Sequence, residues 1–228
     1  MRQLVVIDFH SHTYWSDGVL SPVEHARRAL VNGYTAIGVT DHTGVGNVDH
    51  LITELKRDRD IVERYWPIKV IVGVELTHVP AKGIAEAARA ARRAGAEIVV
   101  LHGETPVEPV EPGSDGAAID CGYVDLIGHP GHITDDEVRR AIANDVYLEI
   151  SARSGHCLTN GHVARLGQAL GAKLVVDSDA HSPSDLLTDK FQRSVALGAG
   201  IEESNLENVL RTWPAELLQR CLSRREGS

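Results

Sequence analysis

The sequence predicts an α/β protein in which parallel strands alternate with helices and close, or nearly close, into a barrel. Two observations carry this prediction. Seven short apolar runs, rich in β-branched residues, are separated by segments of helical character. Nearly every run also ends in a histidine or a carboxylate that could bind a metal ion. A barrel brings all strand ends around one centre, whereas an open doubly wound sheet, the competing architecture, concentrates its site at one switch point.

The expected strands are the apolar runs themselves. They are continuous rather than alternating, which is typical of parallel strands that are covered on both faces. They span residues 4–9, 35–40, 69–76, 97–101, 124–128, 146–151 and 173–177.

Helices are expected between the strands, and two of them carry clear start signals. Ser21 is a candidate N-cap with Pro22 at the first helical position. Thr134 stands three residues before Glu137, which is the spacing of a capping box. The expected helices span residues 21–33, 85–95, 134–145, 160–171 and 184–198.

Two segments do not follow the alternation of strands and helices. Residues 103–118 are rich in Pro, Gly and Glu, and so long a loop is expected to be either a lid over a functional site or a disordered insert. The tail from about 201 to 225 reads as helical. We expect it either to close the bottom of the barrel or to pack on its outside.

Composition predicts one domain over residues 1–228, with the barrel at about 4–195, because 228 residues of which 43% are apolar can form one sizeable core. A net charge of −9 argues against a dedicated nucleic-acid binder. Three cysteines without a CxxC spacing predict free thiols in a reducing, cytoplasmic environment. The first apolar run is broken by Asp8 and is expected to be a strand, not a signal peptide. No apolar stretch approaches the roughly 20 residues of a membrane span.

The strand ends supply nine candidate metal ligands, and their repetition at one end of successive units predicts a polynuclear metal site. Histidine and carboxylate ligands without thiolates suit Zn²⁺, Mn²⁺ or Fe²⁺. The nine are His10, His12, Asp17, His42, Glu75, His102, His129, Asp179 and His181.

Neighbouring residues are expected to support this site. His10 and His12 lie two apart on a strand and point the same way; Asp8 shares their parity and is expected to accept a hydrogen bond from an imidazole. Arg153 and His156 follow the sixth strand and are predicted to bind substrate, because a guanidinium can clamp a phosphate with two hydrogen bonds.

The sequence also gives expectations for three further polar residues. Asp41 is expected to orient His42, and Glu104 either to contact a ligand amine or to be solvated. His25, on the first helix, is expected at the surface.

The motifs resemble those of the PHP (polymerase and histidinol phosphatase) family. HxHxxxSDG matches His10 through Gly18, TDH matches residues 40–42, and the last motif is Ser178-Asp179-Ala180-His181. The resemblance covers residues 4 to about 195 and implies the PHP fold, a distorted (β/α)7 TIM-like barrel.

The resemblance also implies three divalent metal ions. His10, His12, Glu75 and Asp179 would hold the first, Glu75, His102 and His129 the second, and Asp17, His42 and His181 the third. Glu75, Asp179 and His181 are expected to be catalytic. Three divalent ions carry more positive charge than three carboxylates neutralise. The site would therefore keep a net positive charge, which suits a phosphate. A water bridging such metals is acidified, and the resulting metal-bound hydroxide becomes the nucleophile.

The expected function is therefore a metal-dependent phosphatase acting on a small phosphate monoester. The segments LHGETPVEPVEPG and EISARSGHCLTNGHVARL resemble a histidinol-phosphatase-like branch, which makes histidinol phosphate the leading candidate.

A nuclease or phosphodiesterase acting on nucleotides or short oligonucleotides is an alternative. An amidohydrolase-like metal hydrolase is another, although it would lack the combined TDH, GVE and SDAH motifs. A non-catalytic RNA-binding subunit would predict lost ligands and a basic surface. The sequence leaves the oligomeric state open.

Overall fold

A ring of parallel strands forms the centre of the protein in a computed structural model that describes residues 5–226. All seven predicted strands are present, although Leu4 of the first lies outside the described residues, and a short additional strand follows the second. The strands are β1 (Val6–Asp8), β2 (Tyr34–Val39), β3 (His42–Thr43), β4 (Lys69–Leu76), β5 (Ile98–His102), β6 (Leu126–Gly128), β7 (Tyr147–Ser151) and β8 (Leu174–Asp177).

The ring is nearly closed. The strands pair in parallel in the order β1-β2-β4-β5-β6-β7-β8, and β3 extends the pairing onto β4. A parallel bridge between Ser11 and Ala180 joins the chain after β1 to the chain after β8. The backbone N–H of His12 also donates to the carbonyl of Ala180 over 2.8 Å. The predicted barrel is confirmed, and the open doubly wound sheet is excluded because the segments that follow the first and last strands pair with each other.

Helices surround the ring, and the five predicted helices are all present. Ser21 accepts a hydrogen bond from Glu24, and both halves of the Thr134–Glu137 capping box are formed. The helices are α1 (Pro22–Val31), α2 (Val48–Tyr65), α3 (Ile84–Ala94), α4 (Ser114–Asp120), α5 (Asp135–Ala143), α6 (Asn160–Leu170), α7 (Asp189–Gly198) and α8 (Trp213–Glu226). Short 3₁₀ turns span Ala81–Gly83, His156–Thr159 and Glu203–Asn205, and a π-helical turn, Asn208–Thr212, leads into α8.

Helix α2 was not predicted, although its sequence carries the signal. Its buried residues include Leu51, Ile52, Leu55 and Val62, which recur at helical spacing on one face. Charged residues lie between them, of which Arg57 and Asp60 are exposed and Arg59 pairs with Glu97.

The loop after β5 is folded, so the alternative of a disordered insert does not hold. Its last residues form α4. A carboxylate oxygen of Glu104 accepts hydrogen bonds from the backbone N–H groups of Gly113 and Asp115, and Asp115 accepts one from the backbone of Glu104. Glu104 therefore closes the base of the loop, because its carboxylate accepts hydrogen bonds from backbone N–H groups there.

Helix α8 closes the bottom of the barrel, which confirms the first of the two placements expected for the tail. Leu217 and Cys221 are fully buried and pack against the inward side chains of the strands. Arg225 pairs with Glu97 and Glu63 beside them. The inward side chains are Ile7, Phe9, Ala36, Ile71, Ile98, Val100, Leu126, Tyr147 and Val175.

A second and larger apolar core fills the space between the outer face of the ring and the helices. Within residues 5–226, no helix combines the length and the apolar character that crossing a membrane would require.

Candidate metal centre

The predicted ligands converge at the end of the barrel opposite α8, where the strands have their carboxyl ends. Most are buried, while Asp17 and His42 remain partly open to solvent. The ring of parallel strands explains this convergence, because each strand delivers its next residues to the same rim. Two of the nine, His129 with φ 30° and Asp179 with φ 50°, adopt a left-handed backbone that is uncommon for residues other than glycine.

We call this end of the barrel its mouth. At the centre of the mouth, imidazole nitrogens face carboxylate oxygens at short distances. The Nε2 atom of His10 lies 3.2 Å from Oε1 of Glu75, and Nε2 of His12 lies 3.1 Å from Oδ1 of Asp179. The Nε2 atom of His129 is 3.5 Å from the same Glu75 oxygen.

Several of these atoms are buried without a hydrogen bond. Among residues 5–226 they include Nε2 of His10, both ring nitrogens of His12, and Oε1 of Glu75. Buried polar atoms are nearly always satisfied in folded proteins, so this cluster calls for a partner outside the chain. Nitrogen and oxygen atoms about 3 Å apart that do not bond to each other suit ligands of one cation, each about 2.0–2.2 Å from it. The donor set therefore fits a metal centre.

A second part of the mouth lies closer to solvent. The Nε2 atom of His181 is 3.1 Å from Oδ1 of Asp17, and Nε2 of His42 is 3.4 Å from the same oxygen. The His12 ring stacks on the His181 ring with 4.1 Å between centroids, which connects the two parts.

Among residues 5–226, five groups of donors have ligand atoms within 4.8 Å of one another, and four of these groups share members. They are His12–Asp17–His42–His181, His10–His12–Asp179, His10–Glu75–His129, His129–His156–Asp179 and His78–His102–Glu108. The first contains the implied third ligand set, with His12 added. Glu75 and His129 group with His10, whereas His102 groups with His78 and Glu108. The assignment of ligands to particular ions stays a prediction.

Glu149, on β7, is the buried partner of His10, and the expectation for Asp8 is wrong. Oε2 of Glu149 lies 2.6 Å from Nδ1 of His10. The Asp8 carboxylate instead accepts hydrogen bonds from the backbone N–H groups of His10 and Ser178 and from the Tyr34 hydroxyl. Asp8 alternates along β1 with Ile7 and Phe9, whose side chains face the barrel interior, so its carboxylate lies on the opposite face and does not reach the imidazole.

Two further polar residues, Asp41 and His25, make contacts that differ from those expected. Asp41 accepts hydrogen bonds from the backbone and hydroxyl of Thr13 and from the Ser16 hydroxyl, so it holds the turn that carries Asp17. His25 is not at the surface: it is buried, and its Nε2 lies 2.9 Å from the Ser11 hydroxyl. The α1 face that carries it is the one that packs on the barrel.

The charges in the mouth favour a bound cation. Burial alone would lower the pKa of His10, but Glu149, Glu75 and Asp179 raise it well above its usual range. The pKa of His12 is lowered to about 3 because burial outweighs the nearby carboxylates. The neutral imidazole that a metal requires is thus the ordinary state of His12.

The carboxylates are held in the ionised form. Burial would raise the pKa of Glu75, but the imidazoles of His10, His102 and His42 hold it well below its usual range. Burial would also raise the pKa of Asp179, and His10 and His12 lower it in the same way. Excess negative charge that raises the pKa of an imidazole would equally attract a metal ion.

Arg153 and His156, the predicted substrate-binding residues, both lie at this mouth. The Nη1 atom of Arg153 donates to the Asp179 carbonyl over 3.2 Å and lies 2.7 Å from Nδ1 of His181. The His156 ring meets the His129 ring edge to face, with 3.9 Å between centroids. A cleft of about 30 Å³ lies between them. Its lining is Asp17, His42, His102, Glu108, His129, Arg153, His156, Asp179 and His181.

Sequence reasoning missed two carboxylates of this site. Glu108 reaches the cleft from the loop after β5 and was not singled out. Glu149 was missed although it left a signal, because a charged residue inside a buried apolar strand needs a partner. It shares strand parity with Tyr147 and Ser151, which are also buried.

Comparison with known proteins relates this chain to one protein family and to several similar proteins. A family model described as the PHP domain matches residues 8–108. An uncharacterized protein of Methanocaldococcus jannaschii is 45% identical, over 93% of this chain and 98% of its own length. A protein of Caldanaerobacter subterraneus subsp. tengcongensis, named a probable phosphatase, is 29% identical over 93% of this chain and 89% of its own.

A solved structure shares the fold. It is a candidate histidinol phosphatase from Listeria monocytogenes, with a TM-score of 0.55 and 10% sequence identity. The match covers 78% of this chain and 96% of that chain. At this level of identity the likeness concerns the fold alone.

Proposed function

This chain belongs to the PHP domain family of metal-dependent phosphoesterases, and on that premise we propose that it hydrolyses a small phosphate monoester. Histidinol phosphate is the first substrate to test. The observation that carries the proposal is the cleft in which Arg153 stands beside the imidazoles and carboxylates of the metal centre.

In this proposal three divalent cations of zinc, manganese or iron occupy the mouth of the barrel. The nine strand-end ligands would hold them in the three sets named above. When bound, such cations neutralise phosphate charge and lower the pKa of a water molecule so that it can attack phosphorus.

Three ligands are proposed to be catalytic, and each has a structural task. Oε1 of Glu75 lies 3.2 Å from Nε2 of His10 and 3.5 Å from Nε2 of His129, so Glu75 would help to hold both the first and the second ion. Asp179 faces His12 with one oxygen. Nδ1 of His181 lies 2.9 Å from the Asp179 carbonyl, which orients the ring so that Nε2 faces Asp17.

Arg153 is the proposed phosphate-binding residue. Among the described residues that line the cleft, it alone carries a permanent positive charge. Its guanidinium could donate two parallel hydrogen bonds to phosphate oxygens. Its side chain is 32% exposed, which leaves donors available to a ligand. His156, beside it, would help to position the substrate.

A small substrate suits the mouth better than a long polyanion. The cleft is small, and the chain carries a net charge of −9, which disfavours extended nucleic acid. The relative named as a probable phosphatase supports the same choice. A cytoplasmic location, expected from the cysteine spacing, is part of the proposal.

The test is a phosphatase screen on protein whose metal content has been measured. Histidinol phosphate, sugar phosphates, nucleotides and a phosphodiester would be compared with and without added Mn²⁺ or Zn²⁺. We expect bound metals and selective release of phosphate from a monoester. Cleavage of the diester alone would replace the proposal by a phosphodiesterase, and hydrolysis of amides without phosphate release would replace it by an amidohydrolase. Protein that retains no metal would contradict both the centre and the reaction.

A further inference from the structure

The cleft beside the metal centre has room for a phosphoryl group but not for the alcohol that carries it. Its volume is about 30 Å³, whereas a single water molecule already needs about 10–15 Å³ of such space. Bound cations would fill part of it. The alcohol part of a phosphate ester must therefore lie outside the cleft, against the surface beside it.

A larger pocket adjoins the cleft at Arg153, and we call it the side pocket. Its volume is about 440 Å³, and its lining includes Arg153, Ser154, Ser184, Asp185 and Phe191. Arg153 also lines the cleft, so one guanidinium borders both spaces. An ester whose phosphate binds Arg153 can therefore place its alcohol in the side pocket.

Phe191 gives the side pocket a flat apolar wall. It lies in the first turn of α7, where its backbone N–H donates to the Thr188 hydroxyl over 3.2 Å. The residue is 50% exposed, and it also lines a neighbouring groove together with Leu158 and Val195. An exposed aromatic ring in a concave site can stack on a planar group of a ligand.

Asp185 gives the same pocket a carboxylate oxygen that can accept a hydrogen bond from a ligand. Its Oδ2 atom accepts hydrogen bonds from the backbone N–H groups of His181 and Ser182 and from the Ser182 hydroxyl, over 2.8–3.1 Å. These bonds fix the carboxylate. Within residues 5–226, its Oδ1 atom accepts one bond only, from the Ser184 hydroxyl over 3.5 Å. Each carboxylate oxygen has two lone pairs, so Oδ1 is available to an N–H donor.

We propose that the side pocket selects the alcohol part of the substrate, and that this alcohol carries a planar ring with an N–H donor. The ring would stack on Phe191 while its N–H donates to Oδ1 of Asp185. This inference rests on the proposed phosphatase function, because it takes the phosphate to be bound at Arg153. An imidazole and a nucleobase both have the required chemistry.

The competing explanation is that both residues only support the fold, since Asp185 holds the turn after His181. Three substrates separate the two explanations. Histidinol phosphate has an imidazole, phenylalaninol phosphate has a ring without N–H on the same amino alcohol, and alaninol phosphate has no ring. A structural role would change kcat/KM for all three by the same factor, whereas recognition by the side pocket changes their ratios.

We expect the wild type to prefer histidinol phosphate over phenylalaninol phosphate, and phenylalaninol phosphate over alaninol phosphate. Asp185→Asn should reduce the first preference by about tenfold, because the amide keeps the shape but loses the charge. Phe191→Ala should reduce the second by about two- to tenfold, and Phe191→Tyr, which keeps the ring, should retain it. The control variants are Asp136→Asn, at an exposed position of α5, and Leu197→Ala, at an exposed position of α7. Both should keep the wild-type ratios.

Two further comparisons complete the experiment. A nucleoside 5′-monophosphate would be compared with ribose 5-phosphate, which lacks the base, so that the pair with the larger preference identifies the ring. Binding of the free alcohols histidinol, phenylalaninol and alaninol to metal-loaded protein, followed by NMR titration, repeats the first series without turnover. We expect histidinol to bind most tightly and to lose this advantage in Asp185→Asn.

Hydrolysis of esters with no preference in either series would overturn the side pocket and leave the phosphatase proposal intact. Equal changes for all substrates in Asp185→Asn and Phe191→Ala would also overturn it, since both residues would then act through the fold. Ordered binding of the free alcohols without hydrolysis of any ester would contradict the phosphatase proposal and support the side pocket.

Discussion

The carboxylate of Glu149 and the imidazole of His10 meet inside the barrel, where Oε2 of Glu149 lies 2.6 Å from Nδ1 of His10 and both side chains are fully buried. This contact fixes the ring so that its other nitrogen, Nε2, faces Glu75. Carboxylates behind metal-binding imidazoles commonly set the ring orientation and strengthen the ligand.

Glu149→Gln is expected to weaken metal binding at the centre by about 10–100-fold, the usual effect of losing such a partner. The neutral amide keeps the shape but not the charge that favours the metal-bound ring. Chelator competition would measure the affinity. Glu86→Gln, on the exposed face of α3, is the control. An affinity equal to that of the wild type would mean that Glu149 has no influence on the centre.

His10→Ala and Glu75→Ala are each expected to abolish phosphatase turnover, because each removes a buried donor from the centre of the mouth. Rates and metal content would be measured together, with the exposed His132→Ala as control. Full activity in either variant would contradict the trinuclear assignment.

Arg153→Ala is expected to raise KM for phosphate esters by about tenfold or more, since a charged hydrogen bond contributes about 1.5–3 kcal/mol. Arg153→Lys should recover only part of the effect, because an ammonium cannot offer two parallel donors. Steady-state kinetics on the best substrate of the screen would measure both. If KM does not change, Arg153 does not bind the phosphate.

His25 is expected to make stability fall on acidification. Burial first, and then the charge of His181, lower its pKa from 6.5 to about 4. Below pH 6.5 the unfolded chain binds the proton while the folded protein does not, so the free energy of unfolding falls as the pH drops toward 4. The total effect is about 3 kcal/mol. Denaturant titrations between pH 7 and about 4 should give a flatter profile for His25→Gln. Parallel profiles would show that His25 is not responsible.

Leu217→Ala is expected to lower the free energy of unfolding by about 2–5 kcal/mol, the usual cost of such a cavity. Leu217 is fully buried against the strand side chains at the barrel bottom. Metal content should not change, because the ligands lie at the other end of the strands. Leu218→Ala, at a partly buried position, should cost less. A cost equal to that of Leu218→Ala would mean that α8 does not seal the barrel.

The sequence by itself determined the strands, five of the helices and the convergence of the nine strand-end donors. These features depend on local patterns: apolar runs, caps at Ser21 and Thr134, and the rule that parallel strands end at one rim. Helix α2 could have been found in the same way from its buried face.

Only the tertiary structure decided which side chains meet. Glu149 stands 139 positions from His10, and Glu108 stands 30 positions from His78, so no local pattern connects either pair. Asp8 stands two positions before His10, yet its carboxylate lies on the strand face opposite to Ile7 and Phe9 and bonds to backbone groups and Tyr34. Strand periodicity sets the direction of a side chain, whereas its partner depends on reach and on the packing of distant segments. Reach and packing are determined only when the whole barrel has folded.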